Sequence, residues 1–269
     1  MKNTTKILLV LVLLLSFATT MQAQRQRVTY LQNYNNEPYH FGFAVSLNTM
    51  MYTIKLNENY QNVAHKPTDW PNASYNIDRV DSLYVYNIQT KKVPGFSIGI
   101  IGSLRLGRYT DLRFIPTLSF GERKMNYLFV TTGEDGLVEY PEVTKSIFST
   151  FVEFPLQIKL RSARLNNIGA YLIGGVNPKI DLASQKRNTI EVMIDGEPRT
   201  IIDNLRTNRF DVAAEVGVGM DIYNQWFKFG IEVKMSYGLL NIIKDDAFIY
   251  STSIDKLHNK LFMLSFTFE

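Results

Sequence analysis

The stretch FDVAAEVGVGMDIY, residues 210–223, decides the fold class because it alternates between two kinds of residue. Every second residue, starting with the first, is apolar. The residues between them are mostly small or charged, and they include Asp211, Glu215 and Asp221. A repeat of two residues is the period of a β-strand, in which successive side chains point to opposite faces. The stretch therefore predicts a strand with one apolar and one polar face.

Seven other segments show the same two-residue period, so the sequence predicts eight strands. Their apolar faces carry mainly Phe, Ile, Leu and Val, and their opposite faces carry Gly, Ser and charged residues. The strands of a β-sandwich also alternate, so this pattern alone leaves a sandwich and a barrel open. The eight segments are residues 41–51, 95–107, 112–127, 146–160, 168–177, 210–223, 226–238 and 261–268.

The connections between the segments favour the barrel. Three of them are short, residues 108–111, 161–167 and 224–225, and they alternate with four long ones, residues 57–94, 128–145, 178–209 and 239–260. If the strands run up and down, every short turn lies at one end and every long loop at the other. This asymmetry is typical of outer-membrane barrels, whose short turns face the periplasm, whereas Greek-key sandwiches do not sort their loops this way. The sequence thus predicts an all-β, eight-stranded antiparallel up-and-down transmembrane β-barrel with short periplasmic turns and long extracellular loops.

The N-terminus predicts export to the bacterial outer membrane. Residues 1–23 have the layout of a secretory signal peptide, with Lys2 and Lys6 before an apolar run and a plausible cleavage site after Ala23. The alternative, a retained anchor, is less favoured because the apolar run is short for a bilayer. Residues 24–39 then predict a short, mobile periplasmic arm, and residues 40–269 the barrel.

Composition excludes several classes of function. The formal net charge is +4, and removing the signal peptide takes away two lysines and no acid, which leaves +2. A nearly neutral chain gives no indication of nucleic-acid binding. There is no cysteine, which excludes disulfide-stapled and thiolate-metal designs. Since no metal-ligand spacing, phosphate loop or dinucleotide glycine pattern occurs, we expect no cofactor and no small-molecule substrate.

The charged residues of the polar faces are predicted to form a network inside the barrel. An eight-stranded barrel is just filled by its side chains, and buried charges must be paired. The alternative is that part of this set lines a narrow conduit. The predicted lumenal network consists of Arg105, Arg113, Glu153, Lys159, Glu215, Asp221, Glu232 and Lys234.

Two local features need separate explanations. Pro116 and Pro155 lie inside the third and fourth predicted strands, although proline cannot donate to a ladder, so we expect a β-bulge at each position. Within the third long loop, Asp195–Gly196 stands between β-prone flanks in residues 190–202, which predicts a projecting hairpin with a tight turn.

The histidines give little indication of catalysis. His40 precedes the first predicted strand, and His65 and His258 fall in predicted outer loops. A lipid hydrolase would need a serine within hydrogen-bond reach of a histidine, and Ser251 and Ser253 are candidates near His258. Three loop residues at such spacing are a weak signal, so the interpretation as solvated loop histidines is preferred and no catalytic residue is assigned.

Several strand segments resemble the PorT family of outer-membrane barrels from Bacteroidetes-type bacteria. The resemblance covers most predicted strands, and the long loops add little to it. It is carried by YHFGF (39–43), PGFSIGIIG (94–102), LRFIPTLSFG (112–121), FPL (154–156) and YLIGGVNPKID (171–181).

This resemblance implies a function that periodicity does not. PorT-like barrels are associated with the type IX secretion system and, in gliding species, with motility. The expected partners are outer-membrane lipid and other secretion proteins of the envelope, without nucleic acid. The alternatives are a general structural or adhesive surface barrel and, third, a lipid-modifying barrel enzyme. Taken without the resemblance, the residues support only the barrel.

Overall fold

The computed structural model describes residues 28–65, 80–133, 138–183, 189–194, 197–202, 205–244 and 249–269. The predicted signal peptide, residues 1–23, lies outside these ranges. The described residues form fourteen strands, two single 3-10 turns at Tyr34–Asn36 and Tyr60–Asn62, and a short helix at Ile249–Thr252. No helix within these ranges is long and apolar enough to cross a membrane.

Eight strands cross the barrel, three of them in two collinear pieces. β2 continues into β3, β4 into β5 and β7 into β8. The strands are β1 (Tyr39–Leu56), β2 (Val80–Lys91), β3 (Val93–Arg105), β4 (Thr110–Phe114), β5 (Thr117–Gly133), β6 (Val138–Glu139), β7 (Glu142–Glu153), β8 (Leu156–Arg161), β9 (Ile168–Asp181), β10 (Thr189–Ile194), β11 (Glu197–Ile202), β12 (Phe210–Tyr223), β13 (Lys228–Gly238) and β14 (Ile254–Phe268).

The sheet closes on itself. Every barrel strand pairs antiparallel with its neighbour in sequence, and the last, β14, pairs with β1 from Phe43↔Phe268 to Leu56↔Ile254. Short turns join β3 to β4, β8 to β9 and β12 to β13, so they all lie at one end. The predicted eight-stranded up-and-down barrel is confirmed.

An apolar band surrounds the outside of the barrel. On β1 the outward-facing Phe41, Phe43, Val45 and Leu47 are between 41% and 71% exposed, while Ser46 and Asn48 point inward and are buried. Similar residues continue the band on the other strands. At a rise of about 3.4 Å per residue and a tilt of about 40°, ten residues of a strand span roughly 25 Å, the height of the band in such barrels.

The predicted bulges at the two prolines are wrong, because the register is unchanged across both positions. Gly102 pairs with Phe114 and Gly99 with Thr117, so three residues on one strand match three on the other. The carbonyl oxygen of Pro155 still accepts the Ile115 N–H at 3.1 Å. Pro155 has no N–H to donate back to the Ile115 carbonyl. The Thr117 hydroxyl donates to that carbonyl instead, at 2.7 Å.

Beyond the band, the strands extend further than predicted. β2 lies within the predicted loop 57–94, β14 begins seven residues before the predicted strand 261–268, and β5 and β7 also lengthen. In these extensions the apolar side chains point inward, which inverts the pattern of the membrane-spanning part. Together with residues from the connections and the short helix, they pack into a core that we call the apolar plug: Tyr52, Leu83, Val85, Ile88, Met125, Tyr127, Phe129, Val143, Leu205, Ile242, Tyr250, Ile254 and Leu257.

The predicted hairpin is confirmed in its strand pairing. β10 and β11 form a separate two-stranded sheet with Thr189 opposite Ile202 and Ile194 opposite Glu197. The turn residues, Asp195 and Gly196, lie outside the described residues.

Glycines give the inward face of β12 room for large neighbours. A Cβ at Gly219 would collide with the ring of Tyr171 on the adjacent strand β9, whose residue pairing places the two opposite each other. Gly174 is different, since a Cβ there would lie 3.9 Å from the nearest atom, the carbonyl oxygen of Glu215.

We therefore expect Gly219→Ala to lower the free energy of unfolding by about 1–3 kcal/mol, because overpacking forces side chains or backbone to shift. The matched Gly174→Ala variant should be within about 0.5 kcal/mol of the wild type, as a substitution away from a special feature usually is. Urea unfolding of both variants in lipid vesicles measures the difference. Equal stability of the two variants would contradict the crowded interior.

Candidate functional site

The inward faces of the membrane-spanning strands bring charged side chains together in the lumen. Arg113 of β4 donates to the Glu232 carboxylate of β13 at 2.8 Å, and their side chains are 0% and 1% exposed. The Lys234 ammonium lies 3.3 Å from the other oxygen of Glu232, and the Tyr171 hydroxyl donates to this carboxylate at 3.1 Å. One carboxylate is thus shared by two cations and a phenol from three strands.

A second ion pair lies beside the first. The Lys159 ammonium lies 2.7 and 3.0 Å from the two oxygens of Asp221, which faces it from β12. The same ammonium lies 3.7 Å from the centroid of the Tyr171 ring. Tyr171 therefore contacts both ion pairs, through its hydroxyl and through its ring.

The predicted Glu153 and Glu215 are held by neutral donors. Asn177 donates to both carboxylates, at 2.7 Å in the case of Glu215. Gln157 also donates to Glu215, and the Ser119 hydroxyl donates to Glu153. These two acids form an amide and hydroxyl cluster next to the ion pairs.

Arg105, the eighth predicted member, does not join the lumenal network. It is the last residue of β3 and lies at the level of the turn, where its guanidinium donates to the carbonyls of Asn36 at 2.8 Å and Gly107 at 3.2 Å. Its position at the rim explains why it binds backbone rather than a lumenal acid.

The prediction missed two groups of lumenal charges. At the short-turn end, Lys228 pairs with Glu269 at 3.0 Å, and the Glu269 side chain is 1% exposed. Towards the plug, Arg123 pairs with Asp181 at 2.6 Å, and Lys179 lies 3.7 Å from Asp211. Strand alternation places all of these charged residues on the polar face, so the two-residue period of the sequence could have predicted them as lumenal.

The N-terminal arm closes the short-turn end of the barrel. Tyr34 stacks on His40 with ring centroids 3.8 Å apart, and the Lys228 ammonium lies 4.7 Å from the Tyr34 ring. The neighbouring Asn35 accepts a hydrogen bond from Tyr223 at 2.9 Å. Burial raises the pKa of the Tyr34 phenol, which therefore stays neutral over the physiological range.

The arm is fastened to the turn between β8 and β9. Arg164 donates to the carbonyls of Tyr30 and Leu31, the latter at 3.0 Å, and Asn167 donates to the carbonyl of Val28 at 2.8 Å. In the structure, these hydrogen bonds hold Val28, Tyr30 and Leu31 of the predicted arm against the β8–β9 turn. Residues 24–27 lie outside the described residues.

The lumen is closed at both ends. The arm covers the short-turn end, and the apolar plug fills the long-loop end with thirteen buried apolar residues. Paired charges fill the space between them. Among the alternatives for the lumenal charges, this arrangement favours the internal network over the conduit.

The histidines occupy three different environments. His40 lies in β1 under Tyr34, and His65 forms backbone hydrogen bonds with Leu83. His258 is in β14 rather than in a loop, and its ring stacks on Tyr237 at 5.7 Å on the outward face. The candidate serines near it are buried, at 4% exposure for Ser251 and 0% for Ser253. No cluster of His, Asp and Glu that could hold a metal ion occurs in the described ranges.

The comparison with protein families agrees with this architecture. A family model described as outer membrane protein beta-barrel domain matches residues 22–244, which include all three short turns and seven of the eight barrel strands. No curated protein matches the chain. Among solved structures, the chain is similar to the crystal structure of Neisserial surface protein A, with 8% identity and a TM-score of 0.39 over 86% of this chain and 98% of that one.

The Lys159–Asp221 pair offers a test of the lumenal network. Lys159→Met or Asp221→Leu alone should each lower the free energy of unfolding by about 3–5 kcal/mol, because each leaves a buried charge without its partner. The double variant should lose less than either single variant, since no charge of the pair remains. Urea unfolding in lipid vesicles gives all three values.

Lys55→Gln is the control, because it breaks an exposed 2.9 Å pair with Asp255. It should cost no more than about 1 kcal/mol. Additive losses in the double Lys159/Asp221 variant would contradict a coupled buried pair.

Proposed function

We propose that this chain, which belongs to the outer membrane protein beta-barrel domain family, is a non-enzymatic component of the type IX protein secretion machinery in the bacterial outer membrane. The observation that carries the proposal is the closed lumen. A barrel blocked by an arm at one end and an apolar plug at the other does not itself conduct cargo. Its contribution to secretion is therefore to anchor or position other proteins.

The link to secretion comes from the resemblance to PorT-like barrels. The motifs that carry this resemblance lie in structurally important places. YHFGF begins β1 next to the arm, and FPL lies where β7 continues into β8. The YLIGGVNPKID motif supplies Tyr171, Asn177 and Lys179 to the lumen. In gliding species, the same role extends to motility.

The periplasmic face is the surface that we propose for contacts with other secretion proteins. It consists of the folded arm and the three short turns, joined by the hydrogen bonds of Arg105, Arg164, Asn167 and Tyr223. A surface held in one arrangement costs less conformational entropy to bind than a mobile one.

The second candidate is a structural or adhesive surface barrel. The β10–β11 hairpin favours it, because a separate two-stranded sheet in the longest described connection offers backbone edges for a ligand outside the cell. The third candidate, a lipid-modifying enzyme, has less support. His258 is engaged with Tyr237, and the serines proposed beside it are buried.

A clean gene deletion separates these candidates. If the chain serves type IX secretion, several unrelated cargo proteins that carry the C-terminal secretion signal should accumulate in the periplasm and decrease in the medium. Quantifying cargo in medium, surface and periplasmic fractions measures this. Complementation with the wild-type gene should restore release.

Two complementing variants sharpen the test. Arg164→Ala removes the contacts of the arm with the β8–β9 turn and should restore secretion only partly, while the folded barrel persists on gels. Gly174→Ala is the matched control and should restore it fully. Normal cargo release in the deletion strain would overturn the secretion role and leave the barrel assignment standing.

A further inference from the structure

A cluster of lysines lies on the outward face where β2 continues into β3. Lys91 pairs with Lys124 in the ladder between β2 and β5. The ladder between β3 and β5 pairs Phe96 with Phe120. Continued by four residues in the same register, it places Lys92 opposite Lys124 as well. Two residues opposite one is the arrangement of a β-bulge, and here all three are lysines.

A fourth lysine lies at the same height around the barrel. Lys260 of β14 pairs with Met51 of β1, and the preceding pair on the other side of β1 joins Met50 to Val93. Lys260 and Lys92 therefore flank Met51 on adjacent strands. We call Lys91, Lys92, Lys124 and Lys260 the lysine cluster.

The cluster is electrostatically unfavourable without an anion. Like charges directly opposite each other destabilise a strand pair. Glu122 lies 3.3 Å from Lys124 and offsets part of the charge. Lys91 and Lys92 are exposed and extend from the sheet without an ion pair in the described residues. A local conflict of this kind is expected where a sequence serves a function rather than stability.

The surroundings favour a lipid over a soluble anion. Four residues further along the strands towards the membrane, Phe96 and Phe120 stack with ring centroids 5.0 Å apart on the apolar band. Lys260 lies with its ammonium 5.2 Å from the centroid of the Phe262 ring. Lysines on the long-loop side of lipid-facing rings match a molecule with a phosphate head and acyl chains, because long basic side chains can reach the interface.

We propose that the lysine cluster binds the phosphate groups of an anionic lipid in the outer leaflet of the membrane. The cluster lies on the long-loop side of the apolar band, which is the outer side in barrels of this kind. The proposal rests on the outer-membrane location and is independent of a role in secretion. The acyl chains of the bound lipid would cover Phe96, Phe120 and Phe262.

Native mass spectrometry of the folded full-length barrel in neutral detergent tests this with two probes, bisphosphorylated lipid A and the same lipid without its phosphates. The wild type should bind the phosphorylated lipid roughly ten-fold more tightly or better, since each lysine of the cluster is attracted to the lipid phosphates. Lys91→Gln/Lys92→Gln/Lys124→Gln should remove that preference.

The control is Lys55→Gln/Arg209→Gln/Lys244→Gln, which removes the same number of positive charges from the long-loop side but leaves the lysine cluster intact. It should keep the preference. An equal loss in both triple variants would overturn the proposal in favour of a general charge effect. Competition by millimolar inorganic phosphate would overturn the choice of a lipid.

A stability measurement keeps the proposal testable if binding is hard to detect. In neutral detergent without anionic lipid, Lys91→Gln/Lys92→Gln should raise the melting temperature, because it removes repulsion with Lys124. Addition of phosphorylated lipid A should stabilise the wild type and leave this variant unchanged. A lower melting temperature of the variant in the absence of lipid would contradict the charge conflict.

Discussion

Water is not available inside a bilayer to hydrogen-bond the free edge of a sheet, and the ladder between β1 and β14 removes that edge. This ladder runs from Phe43↔Phe268 to Leu56↔Ile254 and turns an open sheet into a ring. Closure divides the side chains into an outer and an inner set, which gives the charges of the lumen their low exposure. Closure also crowds the inward-facing side chains, so a glycine is needed at position 219, where the Tyr171 ring lies against β12.

The interior has two layers, which are stabilised by different interactions. In the membrane-spanning layer, ion pairs such as Arg113–Glu232 and Lys159–Asp221 are balanced locally and require both partners. In the layer beyond the band, the apolar plug packs like the core of a soluble protein. The arm closes the remaining end with Tyr34 stacked on His40. A barrel sealed in this way is suited to holding a fixed periplasmic surface, which is the basis of the proposed role as an anchor.

The two-residue period and the connection lengths predicted the strand number and the loop asymmetry, and the structure places seven of the eight predicted lumenal residues inside the barrel. The period failed for the strand extensions because it identified apolar with lipid-facing, and residues such as Leu83 and Phe129 invert that rule beyond the band. It did not predict that the arm docks on the barrel, because the contacts of Arg164 with Tyr30 and Leu31 join residues far apart in sequence. The bulges expected at the prolines were wrong because the register continues across both, and the Thr117 hydroxyl supplies the donor that Pro155 lacks.

The closure of the ring can be measured directly because the chain contains no cysteine. The hydroxyls of Ser46 and Ser265 lie 2.8 Å apart across the β1–β14 ladder, inside the barrel. In membranes, the Ser46→Cys/Ser265→Cys variant should form an intramolecular disulfide under mild oxidation, while Ser46→Cys/Met263→Cys, which is shifted by two residues, should form little. Equal crosslinking of the two pairs, or none in the first, would contradict an eight-stranded barrel closed in this register.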